Sequence, residues 1–166
     1  MAGSDEQPAP GRRRTAQAAV GALLVLAADQ ASKALVRATL PLHRPREVVP
    51  GFFYLRHELN DGAAWSILRG ARWPLAAVSA AVLAMLVAHR RDVLGIRRVG
   101  PWAFALLCGG IAGNLVDRIL TGRVVDFLDF VFGSYHYPTF NIADSAICVG
   151  MALYLVGSFV SGPQRP

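Results

Sequence analysis

The sequence predicts an α-helical integral membrane protein of four transmembrane helices, with a small β platform resting on one face of the bilayer. Three observations predict it. First, 54% of the 166 residues are hydrophobic and only 17% are charged, and the mean hydropathy of +0.38 is unlike that of ordinary soluble chains. Second, the apolar residues gather into four runs, 15–36, 73–88, 99–116 and 142–160. Each is near the ~20 residues a helix needs to cross a bilayer, the second on the short side, and none carries the periodic polar face of a soluble bundle helix. Third, the net charge of +6 is distributed as in a membrane protein rather than a nucleic-acid binder. Arg12, Arg13 and Arg14 precede the first run, and Arg90, Arg91, Arg97 and Arg98 fill the short link between the second and third. The positive-inside rule places both ends and that link in the cytoplasm. Arg37, Arg44, Arg46, Arg56, Arg69 and Arg72 are spread over the much longer first outer segment.

In chain order, residues 1–14 combine Pro, Gly and charge and read as a disordered tail. Together with the first run they also match a secretory signal peptide, a reading opposed by the three further spans. Asp29 and Lys33 lie four apart near the end of the first span, so a helix puts them on one face as a neutralising pair. By itself this is an interfacial ion pair that ends the span. The outer segment, residues 39–72, is too long for a simple connection. Within it Phe53, Leu55 and Leu59 alternate with Tyr54, Arg56 and Glu58, the pattern of a half-buried strand. Asn60-Asp61-Gly62 then reads as a turn.

The third span carries Gly109 and Gly113 at the spacing that lets helices approach closely. Asn114 and Arg118, also four apart, share a face at its outer end. Residues 121–140 read as a loop, and 161–166 as a second cytoplasmic tail. Cys108 and Cys148, each inside an apolar run, read as buried small hydrophobes. The four histidines lack ligand spacing, so neither a metal nor a cofactor is expected.

The acids carry the chemistry. Asp126 and Asp144 fall at the margins of the outer loop and the fourth span, where an ionised carboxylate beside hydrocarbon is costly and tends to be functional. Brought face to face, two such groups share one proton and act as acid and base. Each also has a plainer role open to it. Asp144 lies three residues after Asn141, where it favours the positive end of a helix that Asn141 caps. Asp117, Asp126 and Asp129 are equally readable as solvated acids paired with Arg118 and Arg123.

Five blocks shift that balance, because they resemble those of the bacterial lipoprotein signal peptidases, the signal peptidase II family. They are Asp29-Gln30-Ala31-Ser32-Lys33, Asn60-Asp61-Gly62-Ala63-Ala64-Trp65-Ser66, Gly113-Asn114-Leu115-Val116-Asp117-Arg118, Val124-Val125-Asp126-Phe127 and Phe140-Asn141-Ile142-Ala143-Asp144-Ser145. They stand in the family's order and reach from the first span to the fourth. The resemblance implies four transmembrane helices with a small extracytoplasmic β-cradle in one unit, residues 15–160, of a bacterial cytoplasmic membrane. It implies an aspartic dyad at Asp126 and Asp144, supported by Asn114, Arg118, Asn141, Asp29 and Lys33. Asn60, Gly62 and Trp65 fall at substrate-facing positions. The implied reaction removes the signal peptide of a prolipoprotein just before its diacylglyceryl-modified cysteine, with membrane lipids as the surrounding partners; the sequence sets no oligomeric state, and a monomer is compatible with it. Trp65 stands where the family usually has Phe, and Asp61 where it often has a smaller or uncharged residue. Both departures bear on specificity rather than chemistry. Two rival classes remain: a Ser/Lys peptidase using Ser66 and Lys33, and a four-span transporter or assembly factor with ion-coupling aspartates.

Overall fold

The computed structural model describes residues 10–62, 70–96 and 99–161. Five helices and four strands follow in the order α1 Pro10–Thr39, β1 Arg46–Val49, β2 Phe53–Asn60, α2 Arg72–Ala88, α3 Arg90–Gly95, α4 Gly100–Leu120, β3 Val124–Phe132, β4 Tyr135–His136 and α5 Ile142–Ser161. Among the described residues, three helices (α1, α4 and α5) are long and apolar enough to cross a bilayer, while α2 is apolar but shorter. The expected second span is therefore the one element whose length falls short.

Helix α4 is the centre of the molecule, with α1 and α5 on either side of it. Small residues make that possible, since packing between apolar helices inside lipid depends on close fit rather than on escape from water. A Cβ at Gly109 would meet Val25 and the Ala22 carbonyl of α1, and one at Gly110 would meet the Ala143 carbonyl of α5. The outer surfaces of the helices remain apolar and exposed, Leu23, Leu120 and Phe159 among them, as suits a lipid-facing belt.

Four strands form one antiparallel sheet in the order β1-β2-β3-β4. It rests on the end of α1, where Val36 and Leu40 pack against Val125 and Phe127. Helix α4 stops at Thr121 and Gly122. Gly122 takes a positive φ of 79° that few other residues tolerate, and both residues donate backbone N–H bonds to the Asp117 carbonyl. That tight reversal sends β3 directly off the end of α4 and brings Asp126 back over the helix ends.

Several expectations need correction. Residues 10–14, read as disordered tail, belong to α1, and residues 1–9 and 162–166 lie outside the described residues. The loop expected over residues 121–140 contains β3 and β4. The short link between the second and third runs holds α3, whose Val93 and Leu94 are buried against Ala18 and Phe104. Cys108 is buried as expected, but Cys148 is exposed. The expected strand over residues 53–59 is β2.

Candidate active site

Five elements deliver polar side chains to one place at the end of the helices. From β3 comes Asp126, only 4% exposed. Its Oδ1 accepts from Asn141 Nδ2 at 2.8 Å and its Oδ2 from Asn60 Nδ2 at 3.0 Å. Asn60 is the last residue of β2, and its own Oδ1 accepts from the backbone N–H of Gly62 at 2.9 Å, closing the turn expected there.

Asp144 sits in the first turn of α5, where its plainer role and its place in the site prove compatible. Asn141 caps the helix through Oδ1, accepting the Asp144 backbone N–H at 2.9 Å. Asp144 Oδ2 reaches back to accept the Asn141 backbone N–H at 3.1 Å, a reciprocal capping box. The other oxygen, Oδ1, accepts from Asn114 Nδ2 at 2.7 Å. Capping fixes the carboxyl without using it up.

Asn141 and Asn114 tie the two acids together. Asn141 donates to Asp126 and also to Asn114 Oδ1 at 3.2 Å, and Asn114 donates in turn to Asp144. Among the described residues, neither Asp126 nor Asp144 has a cation within ion-pair distance. Burial, and then the negative charge of Asp144, push the Asp126 carboxyl up to about 7, against the lowering pull of the Asn60 and Asn141 amides. Arg118 lies within electrostatic reach of both acids, and among the described residues its side chain makes long contacts, to the Gly62 carbonyl at 3.4 Å and the Asn114 carbonyl at 3.5 Å.

Behind Asn114 lies a second cluster. Lys33 Nζ contacts Asp29 Oδ2 at 2.9 Å, Asp117 Oδ2 at 2.9 Å and Asn114 Oδ1 at 3.0 Å, which occupies all three of its N–H donors. Lys33 and Asp29 are fully buried. Asp29 Oδ1 accepts the Ala143 backbone N–H at 3.0 Å, and Asp117 Oδ2 that of Val125 at 3.3 Å. Gly113 is needed where it stands, because a Cβ there would lie 2.5 Å from Asp29 Oδ2. The cluster thus pins the starts of β3 and α5, on which Asp126 and Asp144 are mounted.

The expected residues Asp126, Asp144, Asn114, Asn141, Asn60, Asp29 and Lys33 therefore converge, with Gly62 and Arg118 at the margin. Trp65 and Ser66 lie outside the described residues. Three expectations change. The Asp29–Lys33 pair does not end a span, since α1 continues to Thr39. Asp117 is a buried partner of Lys33 rather than a solvated acid, and its place one turn after Asn114 was the available signal. Asp129, also read as solvated, is 2% exposed and accepts from Arg56 Nε at 2.9 Å and Nη2 at 2.8 Å. The three committed donors of Lys33 leave it unsuited to the general-base role in the Ser/Lys rival.

The chain is similar to known proteins over most of its length. The family Signal peptidase (SPase) II matches residues 21–160. The lipoprotein signal peptidase of Bacillus pumilus is 39% identical over 149 residues, covering 86% of this chain and 92% of its own. That of Symbiobacterium thermophilum is 41% identical over 132 residues, covering 80% and 87%. A bacterial membrane enzyme solved by the in meso method at 2.3 Å resolution superposes with a TM-score of 0.74 at 31% identity, covering 90% of this chain and 93% of that one. A second, at 1.9 Å, gives a TM-score of 0.71 at 33% identity over 84% and 90%. These matches set aside the transporter rival, and the chain belongs to the signal peptidase II family of aspartic-type membrane peptidases.

Proposed function

We propose that this chain is a prolipoprotein signal peptidase whose catalytic pair is Asp126 and Asp144. The observation that carries the assignment is the Asn141–Asn114 bridge. It holds the buried carboxyl of Asp126 and the half-buried one of Asp144 together from separate elements, with amides rather than cations as partners among the described residues. Such a pair retains one proton near neutral pH. The ionised member takes a proton from a water between them, and the hydroxide formed attacks the scissile carbonyl. The protonated member donates to the carbonyl oxygen as charge develops there. Collapse of the tetrahedral gem-diol breaks the C–N bond as a carboxyl proton passes to the leaving amine, and a gem-diol hydroxyl returns its proton to the other carboxylate, which restores the singly protonated pair.

The bond cut is the one before a cysteine carrying a thioether-linked diacylglyceryl group. Helix α2 serves as a short fourth span, both termini face the cytoplasm, and the sheet and dyad face outward from a bacterial cytoplasmic membrane. Asn60 and Gly62 line the approach of the peptide. Asp29, Lys33 and Arg118 support the site from behind and beside it.

Purified protein incubated with a diacylglyceryl-modified prolipoprotein should release the signal peptide, and the unlipidated precursor in the same detergent should be cut far more slowly. Equal kcat/KM for the two would remove the substrate assignment and leave the chemistry standing. No cleavage of either would remove both.

A further inference from the structure

An apolar groove of about 490 Å³ begins at Asp144 and runs along α5 beneath the sheet. Its volume falls within the range of ordinary ligand pockets. Phe130, Phe132, Tyr137 and Phe140 make one wall, and Cys148 and Val149 of α5 make the other. The wall is preassembled from contacting rings. Phe130 stacks on Phe140 with centroids 5.8 Å apart, and Tyr137 meets Phe140 edge-on at 5.7 Å. From Asp144 to Val149 the helix advances about 7.5 Å, so the groove leaves the level of the carboxyls and enters the membrane-spanning part of α5.

We propose that this groove seats one acyl chain of the substrate's diacylglyceryl group. The inference rests on the substrate reading above and adds a binding site to it, since the protein would then grip the lipid rather than leave it wholly in the bilayer.

Hydrogen bonding argues for an acyl chain over a peptide. The groove walls have little to offer a peptide backbone. Phe130's carbonyl already accepts from the Tyr137 N–H at 2.9 Å, and Phe140 spends its N–H and its carbonyl on Leu128 and Phe127. Ser145 Oγ donates to the Asn141 carbonyl at 2.9 Å. A peptide laid here would bury amides without partners, whereas an acyl chain has none to satisfy. Continuity argues the same way, because the groove opens at the carboxyl beside which the modified cysteine must sit. At its other end it meets the exposed, lipid-facing side of α5, where Val149 is 52% exposed.

The test uses diacylglyceryl-modified substrates that share one peptide and differ only in acyl length, all in the same detergent. Wild type should favour the long-chain substrate in kcat/KM by about tenfold, the order by which a fitted apolar pocket discriminates chain length. Filling the groove with Cys148→Phe or Val149→Trp should bring that ratio toward one, mainly through KM. Leu155→Phe, on α5 but outside the groove, should leave the ratio alone. A photoreactive group at the acyl end supplies a readout independent of these variants, with adducts expected on β3, β4 and residues 144–149. A filled variant that keeps the ratio, a wild type with no length preference, or label spread evenly over the lipid-facing helices would each overturn the groove while cleavage continued. A wild type that cuts no lipidated substrate would remove the substrate reading, and this inference with it.

Discussion

Two clusters of aspartates lie side by side in this molecule, and Asn114 belongs to both. In one, Asp29 and Asp117 close on Lys33 at 2.9 Å each. In the other, among the described residues, Asp126 and Asp144 meet only amide and backbone N–H donors. The residue type is the same, and Asp117 and Asp126 are buried to nearly the same degree. The counter-charge differs. A cation held in place makes the first pair of acids into a fastening between α1, α4 and β3. Amides orient the second pair without bringing a counter-charge, and burial together with the Asp144 charge pushes the Asp126 carboxyl up to about 7. Burial of an acid therefore says little about its role until its partners are known.

The sharpest way to break this comparison is to make both clusters neutral and compare what is lost. Asp126→Asn and Asp144→Asn should each lower turnover of a lipidated prolipoprotein by about 10³-fold or more, since an amide replaces the carboxyl almost without change of shape but cannot exchange the proton. Both variants should elute and melt as folded protein. Substantial turnover by either would return that acid to a structural role.

Lys33→Met should do the opposite. It strands two buried carboxylates, with Arg37 the remaining basic neighbour at 3.9 Å from Asp117, and loss of one partner from a buried ion pair costs about 3–5 kcal/mol. The expected result is a large fall in yield and in melting temperature in detergent. The neutral triple variant Asp29→Asn/Lys33→Met/Asp117→Asn should recover much of the stability, because removing all the charges also removes the need to pair them. If the triple variant folds and is still inactive, Lys33 belongs to the chemistry and the two clusters are not separate.

How much of this was legible in the sequence follows the same division. Helices α1, α4 and α5 were readable because composition alone marks a span, and β2 because its alternation survives at a half-buried surface. Strand β3 was not, since Val124 and Asp126 are buried on one side and Val125 and Phe127 on the other, which removes the period of two. The α2 run, already on the short side for a span in the sequence, forms a 17-residue helix. Asp126, Asp144, Asn114 and Asn141 were found through motif blocks, and their bonding depends on elements tens of residues apart. The Lys33–Asp117 and Arg56–Asp129 pairs join residues 84 and 73 positions apart, beyond the reach of any local pattern. The aromatic groove draws on residues from 52 to 149, so no window of sequence displays it.

A milder test follows the proton. The Asp126 carboxyl rises in the folded protein from 3.8 to about 7. Its contribution to stability is therefore full below 3.8 and is lost as pH rises through about 7. Asp126→Asn carries no such group, so its melting temperature relative to wild type should improve between about pH 5 and pH 8.5. Wild-type kcat/KM should fall over the same upper range as the shared proton is lost. A melting-temperature difference independent of pH would mean that Asp126 is ionised throughout this range.

Asp129 gives the smallest and most discriminating effect, because it resembles each cluster in one respect. It lies three residues from Asp126 on the same strand and is as deeply buried, yet Arg56 holds it by two short contacts. Its partner decides the outcome if the comparison is right. In Asp129→Asn the amide oxygen still accepts from Arg56. The guanidinium is about a quarter exposed and keeps Glu58 at 3.6 Å, so water and a second acid absorb part of its charge. The remaining loss is that of one charge-assisted hydrogen bond, about 1–3 kcal/mol. Melting temperature should fall by a few degrees while kcat stays within about threefold of wild type. Arg56→Ala should produce a similar fall, and the double variant less than the sum of the two, which would locate the loss in the pair. A collapse of kcat in Asp129→Asn at unchanged melting temperature would place this acid with Asp126, and pairing with a cation would no longer separate structural acids from reactive ones.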